Sequence, residues 1–335
     1  MSNYPIPTHP TWEIIDPSKM KNYIECPRSF FYRHILGWVG ENPNNHLVFG
    51  QAWHIAMEHL LLNGYSPESV LIAGNKLEES YRREFSGESD DLYSPKTPFR
   101  AILALNEYGN KYKNDLDKYE VLYTETHGAV PVSEKFILFY RIDSILRDKE
   151  HGYIFSLEHK TGTTFSNKWA MQWPLSMQVG AYCHALYCLF PPGEVRGVKI
   201  NGTFFKRTKA PLFEFERVPC WKGPNQMLIW FENVNTYIHD LDRDFATLEG
   251  AKDSDAVLKA FPMRPTSCDN YYGCPYHDFC TTWSNPLQKA DEPPIGFKCE
   301  FWDPRTEVKE NEEVKGFQPI EEIEGMIRSM SNVSK

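Results

Sequence analysis

Tyr140-Arg141-Ile142-Asp143 and, one turn later, Ser156-Leu157-Glu158-His159-Lys160-Thr161-Gly162 are the stretches on which the fold is decided. Residues 135–147 and 153–160 are rich in β-branched and aromatic side chains and bounded by turn formers, the signature of strands. A turn centred on Glu150-His151, with Gly152 supplying unusual backbone angles, joins them as a hairpin. In that register Asp143 faces Glu158, with β-carbons about 5 Å apart. Glu158 and Lys160, two apart in a strand, share a face. Two carboxylates so close repel unless a cation lies between them, and Mg²⁺ suits one or two carboxylates with its other positions left to water and phosphate. A lysine on the same face can orient an attacking water and steady negative charge on a phosphate. The alternative is a surface hairpin with scattered charges, since acid-x-Lys occurs often by accident.

Outward from the hairpin, the N-terminal side reads as helices. Asp16 caps a helix opening at Pro17, Pro27 breaks it at Cys26, and a second short helix runs to Gly37. Further helices are expected over 48–62, 66–85 and 97–116, followed by a strand over 119–125. Beyond the hairpin come a helix over 172–189, strands over 195–206 and 212–218, and a helix over 224–248. This order predicts an α/β domain with a mixed central sheet flanked by helices.

The chain has 335 residues, 41% hydrophobic and 24% charged, enough for one large domain or two modest ones. No apolar run spans a bilayer and the first residues carry no signal-peptide core, so a cytoplasmic, intracellular protein is expected. A net charge of −9 argues against simple electrostatic binding of nucleic acid. It is compatible with a metal-dependent enzyme that needs acids for its cations and uses a local basic path, for which Lys199, Lys206, Arg207 and Lys209 are candidates. Much of the acidity lies between Glu307 and Glu324, a solvated tail. Among eight cysteines, Cys268, Cys274 and Cys280 cluster in a manner that points to a metal or cluster, not to a disulfide scaffold.

Glu158-His159-Lys160-Thr161-Gly162 after Ile142-Asp143 resembles the active-site hairpin of RecB-type PD-(D/E)xK nucleases, although Tyr140 stands where that family usually has glycine. The resemblance implies that Asp143 and Glu158 bind metal, that the carbonyl of His159 adds a ligand, and that Lys160 is catalytic. Gly50-xxx-His54-xxx-Glu58 is similar to the family's helical motif and implies His54 as a further ligand, with Glu58 the weaker candidate. Gln178-xxx-Tyr182 is similar to the motif whose side chains approach the scissile strand. Cys26-Pro27-Arg28 resembles the N-terminal element of cluster-bearing members such as the CRISPR-adaptation exonucleases and the AddB nuclease. That likeness implies a ligand set of Cys26, Cys268, Cys274 and Cys280 around a 4Fe–4S cluster joining the ends of the core. Four thiolates also suit Zn²⁺, and the gap from Cys268 to Cys274 is longer than is usual in the family.

The expected whole is a restriction-endonuclease-like α/β core of residues 1–283, with active-site elements over 48–220, cluster elements over 17–37 and 266–283, and an acidic tail from 284. The resemblance implies a Mg²⁺- or Mn²⁺-dependent DNA nuclease, an exonuclease of recombination, repair or processing. No ATP-binding Gly-x4-Gly-Lys-Ser/Thr motif is present, so a separate helicase or recombination protein is a conceivable partner. The rival readings are an inactive cluster-bearing DNA-binding protein and a zinc-clamped interaction module.

Overall fold

The computed structural model describes residues 4–132, 137–208, 210–270 and 273–305. In chain order, α1 (Pro17–Glu25) and α2 (Pro27–Phe30) lead to β1 (Trp38–Gly40). Helices α3 (Asn45–Asn63), α4 (Pro67–Arg82), α5 (Asp90–Tyr93), α6 (Pro98–Tyr112) and α7 (Asp115–Lys118) follow. Next come β2 (Tyr119–Pro131), β3 (Ile137–Asp148) and β4 (Ile154–Gly162), then α8 (Asn167–Met171) and α9 (Met177–Leu189). Strands β5 (Val195–Phe205) and β6 (Phe213–Cys220), helices α10 (Pro224–Glu249) and α11 (His277–Thr282), and β7 (Phe297–Cys299) complete the order. Five strands form one sheet in the order β2-β3-β4-β5-β6, with β4 parallel to β5 and antiparallel pairing on either side of them. This is the mixed α/β sheet expected from the sequence.

The chain clusters into two compact units. One comprises Pro43–Gly128 and Arg141–Gly223. In it α3 starts where the Asn44 side chain accepts the N–H groups of His46 and Leu47, and it stops at Gly64, whose φ of +84° few other residues adopt easily. Ser66 caps α4, with Pro67 in the first helical position. Phe49, Trp53, Ala56 and Leu60 recur at helical spacing along α3 and bury against Ala73 and Leu77 of α4, Leu105 and Tyr108 of α6, and Phe205 and Phe215 of the sheet. Gly74 lets α4 and α6 approach, since a Cβ there would lie 2.8 Å from Ile102.

The hairpin forms in the expected register, with Ile145 facing Ser156, Leu146 facing Phe155 and Arg147 facing Ile154. Gly152 sits in its turn at φ +72°. The helix expected over 172–189 is α9 alone and starts five residues later, at Met177, after α8 has ended at Met171. Pro174 cannot donate a helical hydrogen bond and biases Trp173 away from the helical region. Ser176 then starts α9 afresh by accepting the N–H of Val179.

The other unit comprises the described parts of Met1–Asn42, Ala129–Tyr140 and Pro224–Lys335. Asp16 caps α1 as expected, accepting from Ser18 and Lys19. Buried Arg28 donates to the carbonyls of Leu258 and Phe261 at 2.9 Å, and Tyr276 donates to the Trp38 carbonyl at 2.6 Å. Residues from 285 on, expected as the start of the acidic tail, supply buried Asn285 and Leu287 and the strand β7 that pairs antiparallel with β1. The acidic run from Glu307 lies outside the described residues.

Candidate metal centre

Three donors converge in the unit built around α3 and the sheet. His54 on α3, Glu125 on β2 and Asp143 on β3 bring their ligand atoms within 4.8 Å of one another. His54 Nδ1 stands 3.0 Å from Asp143 Oδ1, and the backbone N–H of His159 donates to Asp143 Oδ2 at 2.7 Å. Beside it the Ser144 hydroxyl donates to the carbonyl of Leu157 at 3.0 Å. Ahead of Ile145, therefore, side chains bridge β3 and β4 where the Asp143 carboxylate is held. Burial alone would raise the Asp143 carboxyl, but His54, by charge and hydrogen bond, and Lys160 hold it well below the usual carboxylate range. Burial would likewise lower His54, yet Asp143 and Glu158 raise it.

Glu158 has a different setting. Its Oε1 accepts from Lys160 Nζ at 2.6 Å and from Gln178 Nε2 at 3.0 Å, while its buried Oε2 has no hydrogen-bond partner. Burial and the charge of Asp143 push this carboxyl up, against Lys160 and His54, to about 7. Gln178 Nε2 also reaches the Tyr182 hydroxyl at 2.9 Å, and that hydroxyl donates to the carbonyl of Arg141. The two residues expected from α9 thus join the back of the same hairpin. Glu58, by contrast, accepts from the Thr124 hydroxyl at 3.2 Å.

Two features escaped the sequence reading. Glu125 sits at φ +47° in β2 with its carboxylate 2.9 Å from Arg141, so the local backbone breaks the alternation that would have revealed which way it points. The second is a row across three strands, in which His159 of β4 pairs with Asn201 of β5 and Asn201 with Arg217 of β6. Asn201 Nδ2 lies 2.8 Å from His159 Nδ1, and Arg217 Nε donates to Asn201 Oδ1 at 3.1 Å. Arg217 also pairs with Asp115 at 2.5 Å and donates to the Tyr108 hydroxyl at 2.9 Å. Burial pushes His159 down to about 3, so its ring is neutral, accepts at Nδ1 and carries its proton on Nε2. Non-local pairing of this kind leaves no trace in spacing along the chain.

The four cysteines singled out lie together in the other unit. The N–H of Arg264 approaches Cys26 Sγ at 3.4 Å, and Cys274 donates its N–H to the carbonyl of Cys268. Burial raises the Cys280 thiol to about 11, with Cys26, Cys274 and Cys268 adding to the shift and Arg28 opposing it. Cys183 and Cys220 are buried thiols elsewhere. Of the expected basic path, Lys199 is covered by the Tyr119 and Phe155 rings, and Lys206 pairs with Glu214 at 2.8 Å. Lys209 lies outside the described residues. No helix among the described residues is long and apolar enough to cross a membrane.

No curated protein matches the sequence significantly. Among solved structures, one described as "Crystal structure of SSO0001" is similar at 13% identity over 68% of this chain and 76% of that one, with a TM-score of 0.29. The family model of the PD-(D/E)XK nuclease superfamily matches residues 15–281, and the chain belongs to that superfamily.

Proposed function

We propose that the chain is a Mg²⁺- or Mn²⁺-dependent deoxyribonuclease whose site is built from His54, Glu125, Asp143, Glu158 and Lys160. The observation that carries this reading is the convergence of an imidazole and two carboxylates within 4.8 Å, next to the Glu158–Lys160 pair. The donor set fits a hard divalent ion. It is rich in oxygen, its one imidazole tilts it toward Mn²⁺, and the unpartnered buried Oε2 of Glu158 is a further oxygen in want of positive charge. His54, Asp143, Glu158 and the carbonyl of His159 would hold the ion, with Glu125 completing the set. Such an ion supplies Lewis-acid polarisation of a phosphodiester and acidifies bound water.

The remaining work falls to the chain's own groups. Lys160 is kept charged by Glu158 and Asp143 against its burial, so it can hold the attacking water and balance charge gathering on the phosphate. Gln178 and Tyr182 fix Glu158 and the backbone at Arg141. The exonucleolytic mode, a role in recombination or repair and a separate helicase partner follow from the resemblance of the motifs, and belong to this proposal.

We assign Cys26, Cys268, Cys274 and Cys280 to a 4Fe–4S cluster. The electrostatic influence of Cys26, Cys274 and Cys268 on Cys280 supports a shared site, and the likeness of the Cys26-Pro27-Arg28 element to cluster-bearing nucleases favours iron and sulfide in it.

The test is digestion of end-labelled DNA by the purified chain with Mg²⁺ or Mn²⁺. Asp143→Asn and Glu158→Gln should each lower cleavage by at least about a hundredfold while the circular-dichroism melt is retained. Lys160→Ala should lose turnover by a similar factor with Mn²⁺ affinity little changed. Full activity in any of the three would remove that residue from the site.

A further inference from the structure

Directly beyond the lysine, the chain leaves large apolar groups in water. Met171 at the end of α8 is 75% exposed and Leu175 is 88% exposed, with the half-buried indoles of Trp169 and Trp173 beside them in sequence. The two indoles meet edge to face at 5.3 Å, and Trp169 meets Phe204 of β5 in the same way at 4.8 Å. The sheet makes room for this group. A Cβ on Gly202 would come within 2.7 Å of Trp169, and one on Gly162 within 2.8 Å of Phe204. Glycine weakens a strand interior, so β4 and β5 give up stability to let aromatic rings lie on their C-terminal ends. The group is continuous with the hairpin site, since Lys160 Nζ stands 5.8 Å from the centroid of the Trp173 ring.

We infer that Trp173, Met171 and Leu175 form a ledge on which unpaired nucleobases stack beside the scissile phosphate. The inference rests on the nuclease reading above and adds a base-stacking surface to that site. An aromatic ring stacks on any base, which gives affinity without sequence preference. The Met171 thioether adapts to flat rings of differing size. A base inside a duplex is already stacked and paired, and cannot reach the ledge without unpairing. Exposed Lys168 on α8 and the charge of Lys160 suit the phosphates on either side of such a base.

The experiment compares a single-stranded oligonucleotide, its blunt duplex, and the same strand carrying abasic sites at its terminal nucleotides. Wild type, Leu175→Ser with Met171→Ser, and Trp173→Ala are assayed for cleavage in Mn²⁺ and for oligonucleotide binding by anisotropy in Ca²⁺. For wild type, abasic substitution should raise both KM and Kd about tenfold. The ledge variants should raise them about tenfold on the normal strand, and abasic substitution should then have no further effect. A purely structural role would weaken both strands alike and keep the abasic penalty, and that result overturns the ledge. So does a wild type indifferent to abasic sites, as expected if the patch is a protein-docking face. If wild type cleaves nothing but its binding keeps the abasic penalty, the nuclease reading fails and the ledge stands.

Discussion

Asp143 and Glu158 are chemically identical groups on paired strands, and their surroundings drive them in opposite directions. Asp143 is held ionised by His54 and by the N–H of His159, whereas burial and the Asp143 charge hold Glu158 up near neutrality. An ion binding to Glu158 must therefore displace a proton when the pH is below the folded value, and none well above it. Apparent Mn²⁺ affinity should climb as pH rises through about 7 and level off above it. Calorimetric titrations in buffers of different ionisation enthalpy measure this, with proton release per ion falling as pH rises and Glu158→Gln removing part of the release at pH about 6, the raised imidazole of His54 supplying the rest. Release that is equal at both ends would mean that Glu158 does not take the ion. At this scale the sequence was most legible where period two and a glycine turn fix which side chains face each other. Glu125 was invisible for the converse reason, because its positive φ lies outside any alternation.

Secondary-structure elements add what single residues lack. The row His159–Asn201–Arg217 ties β4 to β5 and β6, and its inner end also donates the N–H that holds Asp143. Arg217→Met would strand the Asp115 carboxylate, 11% exposed, without its partner, at a cost of about 3 kcal/mol in denaturant unfolding. Adding Asp115→Asn should restore much of that loss, as coupling within one buried pair requires. If the two substitutions merely add, the row is not a unit. The elements themselves were largely legible from caps, prolines and period, as with Asp16, Ser66 and Pro27. The start of the helix expected at 172 was not, because its apolar spacing continued through Pro174 and masked the fresh cap at Ser176.

For the molecule as a whole, composition and motif order gave the α/β class, while the division into two units came from contacts far apart in the chain. Arg28 and Tyr276 join the first forty residues to the segment after α10, and nothing in local pattern announces such a pairing. The cysteine assignment makes its prediction at this scale. Cys26→Ala should lose iron and visible absorption and lower the melting temperature of anaerobically purified protein, because a ligated loop restricts the unfolded chain. Cys220→Ala, a buried thiol outside the set, should keep its colour. Iron retained in the first variant and lost in the second would redraw the ligand set.

The Arg28 contacts also set a schedule for synthesis. Its guanidinium binds the carbonyl of Leu258, 230 residues further on, so that bond cannot form until most of the chain has left the ribosome. At common elongation rates the wait is roughly 10–50 s. Throughout it Phe30, Phe31 and Tyr32, each almost fully buried in the finished protein, have no Phe261 or Tyr276 to cover them. The nascent N-terminal segment thus keeps aromatic surface uncovered during synthesis, and slower translation lengthens its exposure.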